Sequence, residues 1–136
     1  MNKTDLVKIK VPGKPEFIKV CRSAALATAS LVGFDVDTVD EIGMAVFEAC
    51  KVVTCHGYDC WCSEYEMDIR TEDDGLTIEI LSSVSHTVEK DCEICLDCPN
   101  EGDLGISIIN NIMDSVSIEN TDDGGKKITL VKKNAR

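Results

Sequence analysis

Aromatic side chains are scarce in this chain: three Phe, two Tyr and one Trp among 136 residues. That disfavours a platform on which bases stack. Cations are scarce as well. Fourteen Lys and Arg stand against 25 Asp and Glu, a formal net charge of −11. Phosphate backbones need clustered cations, so neither duplex DNA nor RNA is expected as the main partner. A basic protein stays open. Long apolar runs are missing too. None approaches the roughly 20 residues that cross a bilayer. The opening MNKTDLVKIK holds no apolar signal-peptide core. The expectation is therefore a cytoplasmic protein with no membrane partner.

There is enough apolar material for a core: 43% of residues are hydrophobic and 29% are charged. Disorder is not the default for such a composition. The length suits one domain, residues 1–136, without internal repeat or linker. Eight cysteines are present. In a reducing compartment, clustered cysteines point to metal or redox chemistry more than to structural disulfides.

Residues 6–11, LVKIKV, alternate apolar and polar and read as a first strand. Pro15 suits the first turn of a helix. That helix is expected from Glu16 to about Val32, with Phe17, Val20, Cys21, Ala24, Leu26, Ala27 and Leu31 at helical spacing. Gly33 reads as its C-cap. Asp35 or Asp37 can cap a second helix reaching about Cys55. Its buried side would carry Val39, Ile42, Ala45, Val46, Ala49, Val52 and Val53. Residues 64–70 and 76–81 are expected as a hairpin around TEDDG. Residues 83–102 are polar, irregular and cysteine-bearing, and a loop this long is usually functional. A third helix is expected over 103–115, then a closing hairpin of 116–120 and 126–132. Residues from about 133 to 136 read as a solvated, flexible tail. This order predicts a two-layer α/β sandwich: three helices on one face of a mixed, mainly antiparallel sheet.

Three stretches carry a family resemblance: VPGKPEFIKVCRSAALATAS, EIGMAVFEACKVVTCHGY and EGDLGISIINNIMDSV. Together they resemble the anti-sigma-factor serine/threonine protein kinases, within the histidine-kinase-like ATPase superfamily. The resemblance covers nearly the whole chain. It implies the α/β sandwich of that superfamily, a homodimer, and a sigma factor or an anti-anti-sigma-like protein as partner. It also implies use of ATP and Mg²⁺ to phosphorylate a serine. By the same resemblance Glu48 holds the place of the general base. The place of the Mg²⁺-binding asparagine, four residues on, is taken by Val52. The adenine-reading aspartate is replaced by Ser82, and a glycine two residues later by Val84. Gly102 and Gly105 match glycines that hold phosphates, with Asp103 between them. Residues 83–102 match the ATP lid, and Arg22 matches an arginine at partner surfaces.

Valine offers no oxygen, and Mg²⁺ requires oxygen ligands. No asparagine lies between Glu48 and Cys98, so a shifted alignment does not restore the ligand. Phosphoryl transfer depends on positioning and charge neutralisation, much of it from the metal. The nucleotide site therefore reads as degenerate, with Glu48 a vestigial base and ATP/Mg²⁺ doubtful as a cofactor.

Cys92, Cys95 and Cys98 form C-x-x-C-x-x-C. Cys55, Cys60 and Cys62, with His56, form a second group. Thiolates so spaced can wrap zinc or an iron–sulfur cluster. A cysteine-lined metal site or a thiol redox switch in the vacated pocket is one reading. No shared role is the other, since free cysteine often packs as a small hydrophobe. Cys21 and Cys50 read as core. His86 reads as a solvated loop residue, and Trp61 as a shield or a packing residue. Three functions follow. The leading one is a regulator that acts by binding a protein partner, with ATP binding impaired or absent. The alternatives are an active ATP-dependent serine/threonine kinase and a metal, iron–sulfur or thiol sensor.

Overall fold

The computed structural model describes residues 4–13, 15–53, 64–83, 98–120 and 126–134. Its elements run in the order strand, two helices, two strands, helix, two strands. They are β1 (Leu6–Pro12), α1 (Ile18–Val32), α2 (Val36–Val53), β2 (Glu64–Glu72), β3 (Gly75–Ser83), α3 (Cys98–Ile112), β4 (Ser115–Asn120) and β5 (Lys126–Lys133), with a short 3-10 turn at Pro15–Phe17 before α1. The sheet order is β1-β2-β3-β5-β4. All four pairings are antiparallel, so the expected mixed character is absent among the described strands. The three helices lie against one face of this sheet.

Alternation along the strands builds that face. Register places Val7, Ile69, Ile78, Leu130 and Val116 in one row across five strands. Ile9, Met67, Ile80, Ile128 and Ile118 form the next row. The middle three residues of each row are fully buried. Cross-strand rows of β-branched and long apolar residues are what sheets pack best. The opposite face is polar. Asp68 and Glu79 face each other across β2 and β3. Each like charge has its own lysine: Lys8 Nζ lies 3.2 Å from Asp68, and Lys127 Nζ 3.9 Å from Glu79.

The turn between β2 and β3 is Asp73–Asp74, and Gly75 already pairs with Glu72. A Cβ on Gly75 would run into the backbone of Lys132, so only glycine lets β3 and β5 approach there. Gly33 ends α1 as expected. Its φ of 102° is left-handed, and its N–H meets the carbonyls of Ala29 and Ser30.

Three expectations are corrected. Only part of the set expected of α1 packs into the core: Cys21 fully, Phe17 and Ala24 partly. Ile18, Cys21, Ala25, Thr28 and Ala29 face the core, while Val20 and Leu31 are 44% and 85% exposed. The helix is apolar nearly all round, so spacing alone could not choose its inner side. α3 starts at Cys98 rather than 103, taking the end of the expected lid into a helix. Lys133 belongs to β5 rather than to a tail. Its N–H donates to Asp114 Oδ2 and the N–H of Asn134 to the Asp74 carbonyl, both at 2.6 Å. Among the described residues no helix is long and apolar enough to cross a membrane.

Candidate functional site

α2 carries the residue that the resemblance singles out. The helix forms because Asp35 caps it: the N–H of Thr38 donates to Asp35 Oδ1 at 2.8 Å. Ile42, Ala45, Val46, Ala49 and Cys50 then fill the core side. That anchoring leaves Glu48 half-buried on a neighbouring side. Lys51 Nζ lies 3.7 Å from Glu48 Oε1, one turn on. The same ammonium sits 5.3 Å from the centre of the Phe47 ring. The carboxylate is thus accompanied by a cation of the chain itself. The (i, i+3) spacing of Glu48 and Lys51 carried this signal in the sequence, although Lys51 was not singled out there.

Ser82 closes the buried end of β3. It is 3% exposed. Its hydroxyl accepts from the N–H of Lys126 at 3.0 Å and donates to the Lys126 carbonyl at 3.4 Å. Both functions of the hydroxyl go to the backbone of β5, which ties the two strands where their ladder ends. Nothing local in the sequence announces this tie, because the partner lies 44 residues on.

Gly102 and Gly105 both lie within α3. A helix starting at Cys98 has its unpaired N–H groups in its first turn. The two glycines stand beyond that turn, at the fifth and eighth residues of the helix. Arg22 is exposed on α1. It lies along α2 at Gly43, where an added Cβ would come within 3.5 Å of Arg22 Nε. Val52 is in the last turn of α2.

Cys55, Cys60, Cys62, Cys92 and Cys95 lie outside the described residues, as do His56, Trp61, Val84 and His86. Cys98 is the first residue of α3. Among the described residues, no group of three or more His, Cys, Asp or Glu side chains could hold a metal ion.

The donor set does not fit Mg²⁺ held in the manner the resemblance implies. At the position the resemblance gives to the metal's carboxamide, Val52 offers no oxygen, and Glu48 is paired with Lys51. At the position it gives to adenine reading, the Ser82 hydroxyl is engaged by Lys126.

Comparison with known proteins places this geometry. Over 141 aligned residues the chain is 26% identical to serine-protein kinase RsbW of Bacillus cereus, covering 97% of this chain and 87% of that protein. It is 27% identical to the RsbW of Halalkalibacterium halodurans, covering 97% and 85%. It is 25% identical to that of Bacillus licheniformis, covering 94% and 85%. Residues 11–132 match the family described as histidine kinase-like ATPase domain, from the end of β1 to within β5. The chain belongs to that family.

Proposed function

We propose that this protein is a regulator that binds a sigma factor or an anti-anti-sigma-like protein, acts as a homodimer, and has weakened or lost ATP binding. The observation that carries the loss is the Ser82 hydroxyl, engaged on both its donor and acceptor sides by Lys126. Val52 adds to it, since an isopropyl group offers a metal nothing. Partner binding rests on the likeness to proteins named serine-protein kinase RsbW. Arg22, exposed on α1, is the side chain proposed to meet the partner.

The test compares the wild-type chain with Val52→Asn/Ser82→Asp in a thermal melt with millimolar MgATP. Ligand that binds only the native state raises Tm in proportion to RT ln(1 + [L]/Kd). No shift is expected for the wild type, and a shift for the double variant. A wild-type shift together with phosphate transfer to a serine would replace this reading with that of an active kinase. For the partner, Arg22→Ala should weaken binding to candidate sigma factors and anti-anti-sigma proteins at least tenfold in titrations. Equal affinity would remove Arg22 from the interface.

A further inference from the structure

Gly33, Phe34 and Asp35 turn the chain between α1 and α2, so the two helices run back along each other. Near the turn, Gly43 faces Leu26. Farther along, Cys50 meets Cys21. Both thiols are fully buried, and the Cys50 side chain is a hydrogen-bond partner of Cys21. Ala25 and Ala29 on α1 and Ala45 and Ala49 on α2 are fully buried too. The two sulfur atoms stand together on different helices.

We propose that Cys21 and Cys50 form a dithiol that closes, in the presence of a hydroperoxide, to a disulfide joining α1 to α2. The Cys21 thiolate attacks one oxygen of the peroxide. The O–O bond breaks, the second oxygen leaves with a proton as water or alcohol, and Cys21 becomes a sulfenic acid. Cys50 sulfur then attacks Cys21 sulfur. The S–S bond forms, the S–O bond breaks, and the hydroxide released takes the Cys50 proton to give water. Two thiols have lost two electrons, and the peroxide has gained them.

Chemistry and geometry favour this pair. A thiol that donates a hydrogen bond to its neighbour stabilises that neighbour as thiolate, the nucleophilic form. The Cys50 hydrogen bond draws the Cys21 thiol below the ordinary thiol range, against burial that pushes it up. Disulfides need Cα atoms about 4.4–6.8 Å apart, which helices packed through small residues allow. Burial sets the rate. The oxidant reaches the pair when α1 lifts locally from α2, an opening that costs less than global unfolding.

The test treats the full-length reduced chain with hydrogen peroxide, quenches it, and digests it with trypsin without reductant. Cleavage after Lys19, Arg22 and Lys51 places Cys21 in residues 20–22 and Cys50 in residues 23–51. The expected result is a mass for these two peptides joined, abolished by dithiothreitol. Cys50→Ser should instead leave Cys21 as a sulfenic acid that dimedone traps. If both cysteines alkylate fully after peroxide has oxidised other thiols of the chain, the proposal is overturned. Either cysteine bridged to a different one overturns it too.

Discussion

Asp35 holds the N-terminus of α2 through its carboxylate. The Thr38 hydroxyl and, after it, the Thr38 N–H hold that carboxyl below the ordinary aspartate range. A depressed pKa means that the folded chain prefers the ionised form. The stabilisation is complete above the ordinary aspartate value of about 4 and is lost as pH falls through the lower folded value. Asp35→Ala should therefore melt below the wild type at pH 7, and the gap should narrow steadily on acidification. Asp35→Asn, which keeps a capping oxygen, should stay close to the wild type with little pH dependence. An Ala gap that stays constant with pH would show that the carboxylate charge contributes nothing. Ser82 works differently at the same scale. A buried hydroxyl bonded on both sides acts as a piece of β-ladder, which a carboxylate there could not do without losing its donor to the Lys126 carbonyl.

The α1–α2 contact shows what one element asks of another. A Cβ on Gly43 would come 2.6 Å from Leu26 Cδ2. Leu26 is half-buried and can swing aside, at about 0.5–1.5 kcal/mol for an off-rotamer side chain. Removing a helical glycine gains about 0.5–1 kcal/mol. The terms nearly cancel, so Gly43→Ala should unfold in urea within about 1 kcal/mol of the wild type. Gly43→Leu overfills the contact and should lose about 1–3 kcal/mol or more. Equal midpoints for both variants would mean that the helices do not meet closely there. At this scale much was legible beforehand. α2 showed its inner side because Ile42, Ala45, Val46 and Ala49 recur at helical spacing. β2 and β3 showed theirs by strict alternation, and Gly33 announced its cap. α1 hid its inner side because Val20, Leu31 and Ala27 look as apolar as the buried Ala25 and Ala29. The start of α3 was hidden by Pro99 and Gly102, which read as loop although proline suits a helix's first turn. In the candidate site, the place of Glu48 on α2 was legible. The Ser82–Lys126 tie was not, because it is a product of tertiary register.

For the whole molecule, the exposed apolar residues are unevenly placed. Val20, Ala27 and Leu31 share one exposed side of α1, while Val36, Met44 and Ile118 are exposed singly. A grouped apolar stripe marks a contact surface more than scattered single residues do. It is the surface proposed to form the homodimer. Leu31→Glu should convert the dimer to monomer in sedimentation velocity while leaving Tm within a few degrees, since Leu31 is 85% exposed and supports no core. A wild type that sediments as a monomer would remove the dimer from the proposed function.

β5 is the last of the described strands, yet it occupies an interior lane of the sheet, between β3 and β4. On the ribosome, β1, β2 and β3 emerge first and leave one side of β3 bare. β4 then emerges with no neighbour to bond. At about 5–20 residues per second, the nascent chain waits several seconds before β5 can close the gap. A chain truncated before Lys126 therefore leaves β4 with no strand to pair with among the described ones, and splits the sheet rather than trimming it.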